Sequence, residues 1–157
     1  MSFSETEQQE FSLRKGDVLI CEGGEVGRSS VVERDLPGVY FQKAIHRVRC
    51  SPKLDPHFLF RYMEFAAPTG RLDDFSSEAT IKHLTGVKLR RLPIPLPPIE
   101  EQRRIAAVLD ATDALRAKRR QAIAKLDTLT QAIFIDMFGD LANNSRRWPI
   151  RRIGDLV

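Results

Sequence analysis

A chain of 157 residues has room for one globular domain and an extension, and little more. Lysine and arginine outnumber aspartate and glutamate 25 to 21, and the net charge of +4 permits nucleic acid as a partner without demanding one. No apolar run approaches the roughly 20 residues that cross a bilayer, and the two cysteines, Cys21 and Cys50, are too few for a disulfide scaffold and wrongly spaced for zinc, which points to a cytoplasmic protein with buried, reduced thiols.

Residues 1–10 are polar and acidic, unlike the basic start and apolar centre of a secretory leader, and their lack of periodicity predicts a frayed segment. Strand signals follow. Asp17-Val18-Leu19-Ile20-Cys21 is a short apolar run closed by the turn formers Gly23, Gly24 and Gly27. Ser29-Ser30-Val31-Val32 reads as a second strand, Pro37-Gly38 as a turn, and Val39-Tyr40-Phe41 as a third strand. Residues 44–50 alternate apolar and polar as a half-exposed strand should. Short strands joined by tight turns predict a curved, mostly antiparallel sheet rather than a parallel crossover unit.

The period changes over residues 56–67, where Phe58, Leu59, Tyr62, Met63, Phe65 and Ala66 share a broad helical face and Pro56 occupies a first-turn position. Residues 72–78 are polar and read as a loop or ragged helix end. Residues 80–89 read as a loop or short helix, and 92–98 as a proline-rich extended segment.

Pro97-Pro98-Ile99-Glu100-Glu101-Gln102 places prolines just before a helix and acids in its first turn, where they complement the helix dipole. No proline or glycine intervenes before Phe138, and Gly139 stands where a C-terminal cap belongs. The span is about 38 residues, or about 57 Å. Ile105, Val108, Thr112, Leu115, Ala122, Leu126, Leu129 and Ile133 repeat at alternating steps of three and four, with Arg119 and Asp136 as polar exceptions. Such a stripe outruns any domain this chain can build and predicts a helical partner in coiled-coil geometry. The fold class expected is therefore α+β, a small curved sheet with short helices followed by one long coiled-coil-forming helix.

The run from Leu92 to Asp110, with its Pro97-Pro98-Ile99-Glu100-Glu101-Gln102 core, resembles the junction between a target recognition domain and its spacer helix in type I restriction-modification specificity subunits. Arg14-Lys15-Gly16-Asp17 with Gly27 resembles that family's mid-domain strand start, and Thr80-Ile81-Lys82-His83-Leu84 the segment ahead of the last domain strand. The tail from Trp148 through Gly154-Asp155-Leu156 resembles the opening of a second recognition domain. The resemblance implies three zones: 1–98 as a partial DNA target recognition domain, 99–139 as the spacer helix, and 140–157 as a linker and truncated start of a second domain. It implies either a half-subunit working as a dimer or a gene remnant.

The chemistry the residues support agrees with a non-catalytic role. The chain has no Gly-rich phosphate loop, no dinucleotide fingerprint, no Asn-Pro-Pro-aromatic methylation motif and no metal spacing among His46, His57 and His83, so neither cofactor nor metal is expected. Residues 23–27 read as a turn, and Asp73, Asp74, Glu78 and Lys82 as a solvated loop rather than a nuclease centre. The resemblance implies double-stranded DNA and the methyltransferase and restriction subunits as partners. The cations available for phosphate are Arg28, Lys43, Arg47, Arg49, Lys82, Lys88, Arg90 and Arg91. Arg28 and Lys82 are the leading phosphate candidates, with Lys43 beside them, and Gln42, Thr80 and His83 are the candidates for base edges. The alternative is a self-associating coiled-coil scaffold, or a remnant with little DNA affinity.

Overall fold

The computed structural model describes residues 4–42, 44–73, 83–140 and 142–157, and its packing divides into two compact units, Met1–Asp110 and Ala111–Val157. In chain order the elements are α1 (Glu5–Phe11), β1 (Ser12–Leu13), β2 (Asp17–Cys21), β3 (Ser29–Val31), β4 (Leu36–Tyr40), β5 (Ile45–Arg49), α2 (Pro56–Ala66), α3 (Gly86–Arg91) and α4 (Ile99–Phe138), with a short 3-10 turn at Ile153–Asp155. The class is α+β. β2 is the centre of a three-stranded sheet of order β3-β2-β5, antiparallel on both sides, and β1 and β4 form a separate antiparallel pair.

Alternation along β2 builds the core. Val18 and Ile20 are fully buried and meet Leu59, Met63 and Ala66 of α2, together with Leu72 and Leu84. α2 begins where Pro56 predicts. Asp55 caps it, its carboxylate accepting the His57 and Phe58 N–H groups. Phe65, assigned to the inner face by periodicity, is 52% exposed. Tyr62 instead reaches out to the proline-rich segment and donates its hydroxyl to the Pro93 carbonyl at 2.8 Å.

Other local expectations also fail. Residues 5–11 are helical rather than frayed: the Gln8 N–H bonds the Ser4 carbonyl, the Glu/Gln run favours helix, and Phe11 anchors its end edge-on against Phe41 at 5.3 Å. Pro37 and Gly38 lie inside β4 rather than in a turn, because the β1–β4 register slips between Ser12↔Tyr40 and Leu13↔Leu36, and the extra residues bulge there. The cysteines are free and half-buried rather than fully buried, with the Cys50 thiol pushed up to about 11 by burial and the nearby Asp55 and Asp17 carboxylates.

The strand start at Asp17 is a polar knot. The Asp17 side chain is 1% exposed, accepts the Arg14 N–H at 2.9 Å, and receives Arg49 through both Nε and Nη2 at 2.8 and 2.9 Å. Burial works against the charged form. The Arg49 and Arg14 hydrogen bonds and the charges of Arg49 and Arg47 outweigh it together, holding the carboxyl below the usual carboxylate range. The same pairing raises Arg49 further above its ordinary value.

In the second unit α4 ends as expected. The Gly139 N–H bonds the Ile135 carbonyl at 2.7 Å, and an Asp140-centred turn follows, accepting Ala142 N–H and Asn143 Nδ2. Asn144 and Trp148 close the next loop reciprocally, side-chain oxygen to N–H and side-chain nitrogen to carbonyl. Trp148, Ile150, Ile153 and Leu156 stand 54%, 84%, 81% and 71% exposed beyond it.

Because Asp17 titrates lower in the folded than in the unfolded chain, its stabilisation is present above its ordinary value of about 4 and is lost as pH falls through the depressed folded value. Urea midpoints measured from pH 7 to pH 2 should fall less steeply in Asp17→Asn than in the unaltered protein. Arg49→Met, which leaves the carboxylate buried and half-paired, should cost about 2–4 kcal/mol at pH 7.

Candidate nucleic-acid interface

One end of the three-stranded sheet collects three chain segments. β2 ends at Cys21, β3 begins at Ser29, and residues 22–28 form the hairpin loop between them, closed by Cys21 N–H to Arg28 O and Gly27 N–H to Cys21 O. β5 starts opposite Cys21 at Ile45, so the turn before it, with Ile45 N–H on Gln42 O, lies at the same end. Glu22 binds both neighbours. Its N–H takes the Ala44 carbonyl at 3.0 Å and its own carbonyl takes the Leu84 N–H at 2.8 Å.

Glycine is required at two points of this loop. Gly23 bridges His83, whose imidazole Cε1 would lie 3.0 Å from any Cβ placed there. Gly27, at φ +82°, faces the buried Leu72 methyl, into which any side chain would run. The glycine-rich stretch is thus a turn, as expected, and it grips both Leu72 and the segment at His83. His46 completes the attachment: its Nε2 is 2.6 Å from the Leu84 carbonyl, the contact of a donated N–H.

Arg28, Gln42 and His83 are all exposed at this end of the sheet. Arg28 Nη1 lies 2.6 Å from Glu25 Oε2, with both side chains more than 70% exposed, an i,i+3 pair that water screens and that a phosphate can displace cheaply. Lys43, Thr80 and Lys82, with Asp74 and Glu78, lie outside the described residues. Two of the other cations are committed elsewhere. Arg49 belongs to the Asp17 knot, and Arg47 donates Nη1 to the Glu10 and Ser12 carbonyls at 2.7 and 2.8 Å while stacking over Phe41. Lys88, Arg90 and Arg91 sit together on α3.

At the opposite end of α2 the long helix is moored. Gln102 has no exposed surface, yet its amide is satisfied on both sides: Oε1 accepts the Asp55 N–H at 2.9 Å, and Nε2 donates to Lys53 O at 2.9 Å and Pro97 O at 2.8 Å. One helical turn on, Ala106 is 3% exposed, and a further turn on Asp110 accepts Arg61 Nε and Nη2 at 2.9 and 2.6 Å. This stripe of α4 packs on the first unit. At 100° per residue the predicted heptad lies roughly 160° away around the helix. Val108, Leu115, Leu126, Leu129 and Ile133 along it are 57%, 67%, 62%, 50% and 49% exposed. Periodicity found the heptad face; it gave no sign of the polar mooring face, whose partners sit some 50 residues upstream.

The chain is similar to known proteins in sequence and in fold. The family described as type I restriction modification DNA specificity domain matches residues 3–126. The type I restriction enzyme EcoBI specificity subunit of Escherichia coli is 30% identical over 131 residues, 80% of this chain and 27% of that protein. The MjaIX specificity subunit of Methanocaldococcus jannaschii is 22% identical over 99% of this chain and 40% of its own length. A structure from work on complex assembly and conformational transition of the type I R-M system superposes with a TM-score of 0.58 at 31% identity, covering 78% of this chain and 30% of that one. The HsdS subunit from Thermoanaerobacter tengcongensis superposes at 0.53 and 27% identity, covering 82% and 31%. The chain spans 27% and 40% of the length of the two curated relatives named.

The mooring amide makes a sharp prediction. Gln102→Met keeps the volume but strips partners from Asp55 N–H and two carbonyls, and should lower the unfolding free energy of the first unit by about 2–4 kcal/mol in urea titrations. Gln102→Glu faces those same carbonyls with a group that must hold its proton to donate. Its folded pKa is raised, so its deficit should shrink below about pH 5 and widen above it.

Proposed function

The chain belongs to the type I restriction-modification DNA specificity family, and from that premise we propose that it is a duplex-DNA-binding specificity module that directs methyltransferase and restriction subunits to a target sequence and carries no catalytic centre of its own. The observation that carries this reading is the two-faced α4: one face is moored to the sheet domain through Gln102, and the other leaves an apolar heptad exposed. A recognition domain continuous with a helix that seeks another helix is what a module that reads DNA and assembles with others requires. In this reading residues 1–98 are a partial target recognition domain, 99–139 the spacer, and 140–157 a linker and the start of a second domain.

DNA meets the sheet end formed by the 22–28 loop, the turn at Gln42 and the segment from His83. Arg28, Lys43 and Lys82 hold phosphates; Gln42, Thr80 and His83 reach base edges. The exposed gathering of Arg28, Gln42 and His83 supports this assignment. No described helix is long and apolar enough to cross a membrane.

Duplex binding should weaken steeply between about 50 and 200 mM salt, with log affinity falling linearly in log salt. His83→Ala and Gln42→Ala should change the ranking among duplex sequences, whereas Arg28→Gln lowers affinity evenly. Binding indifferent to salt overturns the DNA reading in favour of a bare scaffold.

The heptad face takes a second helix, from another copy or from another spacer. Sedimentation should therefore show self-association, or co-assembly with a methyltransferase subunit, that Leu115→Asp with Leu126→Asp abolishes while leaving the sheet domain folded. A chain that stays monomeric and alone at high concentration removes the assembly half of the reading.

A further inference from the structure

Several cations of the first unit are already engaged. Among the described residues Arg28, Arg61, Arg103 and Arg104 each lie within 2.6–2.8 Å of a carboxylate, Arg49 binds Asp17, and Arg47 is consumed by two backbone carbonyls. α3 is different. Lys88, Arg90 and Arg91 are three cations within four residues, and among the described residues none has an anionic partner. Their position in the last turn complements the carbonyl end of the helix, which explains why they are tolerated there but not why no described carboxylate stands in reach.

Packing decides which way they face. Leu89, Leu92 and Ile94 pack against the core cluster, so α3 turns its apolar side inward, leaving Arg90 and Arg91 exposed and Lys88 half-buried at the margin. The helix is also held at its start. Leu84 is fully buried, its N–H and carbonyl are taken by Glu22 O and His46 Nε2, and Thr85 Oγ1 caps the turn by accepting the Lys88 N–H. His83, immediately before this clamp, sits against Gly23 of the loop that carries Arg28. Residues 83–91 therefore form one short, anchored stretch with an exposed imidazole at one end and an unpaired triple cation at the other.

We infer that α3 is a phosphate-gripping ridge, with Lys88, Arg90 and Arg91 contacting the backbone of a nucleic-acid duplex and the Leu84 clamp fixing their distance from His83. The inference rests on the DNA-binding reading above and adds an element to it, since the loop residues Arg28 and Lys43 then supply only part of the electrostatic grip. Contacts of this kind position a protein on DNA without reading sequence. An acidic protein surface is the competing partner for such a ridge, and salt dependence separates the two.

The test is duplex binding by the full chain across a salt series, with a panel of unrelated duplexes as probes. Lys88→Gln/Arg90→Gln/Arg91→Gln should reduce the slope of log affinity against log salt by roughly 2–3, and Arg91→Gln alone by about 1. The loss should be equal for every duplex, with helix content by circular dichroism unchanged. An unchanged slope in the triple variant, while the unaltered chain binds with a steep slope, overturns the ridge and leaves the DNA reading standing. No salt-dependent binding by the unaltered chain overturns both. Intact DNA binding with lost capture of a purified methyltransferase subunit assigns the ridge to protein instead and overturns it as well.

Discussion

The side-chain amide of Gln102 determines which face of α4 meets the sheet domain. A glutamine with no exposed surface would be a liability if any of its polar atoms were unpaired, since each such group costs about 1–3 kcal/mol. Here both amide hydrogens and the carbonyl are used, and all three partners are backbone groups with no strand to satisfy them. The amide does for residues 53–55 and Pro97 what a ladder neighbour would do in a sheet. It thereby joins the end of the proline-rich segment, the cap of α2 and the start of the long helix at one point.

From that point the coupling runs along α2 to the other pole of the domain. Asp55 gives its N–H to Gln102 and its carboxylate to the first turn of α2. Leu59, Met63 and Ala66 carry the helix across the core against Val18 and Ile20. At the far end Met63 and Ala67 lie against Gly27, beneath the loop that bears Arg28. The junction with α4 and the candidate DNA surface are therefore opposite ends of one packed helix. Phe58, Leu59, Met63 and Ala66 are its buried side, so a change in its register disturbs both.

Periodicity and punctuation made some elements legible in the sequence. The extent of β2, the Pro56 start, the Gly139 stop and the heptad stripe are local properties of the chain, and they appear in the structure where local reasoning places them. The features that were not legible depend on distant partners. Arg47 and Arg49 look like any other cations until β5 pairs with β2 and brings Asp17 and the Ser12 carbonyl to them. Pro37-Gly38 looks like a turn until β1 supplies a register in which the extra residues bulge. Gln102 is the sharpest case: the motif around it suggested a helix start, but a buried role for its amide needs the loop at residues 53–55, which nothing local reveals. For the candidate site, Arg28, Gln42 and His83 of the six residues lie together at one sheet end, while Arg47 and Arg49 are set apart from the cations of α3 only by the partners that β1 and β2 supply to them.

A polar mooring also has a consequence that an apolar one would lack. A leucine at position 102 would tolerate small rotations of α4, because apolar contact is non-directional. The amide tolerates none. Turning the helix by one residue, about 100°, would bring Glu101 or Arg103 to the same spot and leave two carbonyls and an N–H facing a wrong or mismatched group. A fully satisfied polar network selects a single arrangement in this way. Within the first unit, fixing the phase at Gln102 fixes the direction in which the exposed Val108 presents itself. The outward face of α4 at its start is therefore set by a residue that is itself wholly buried.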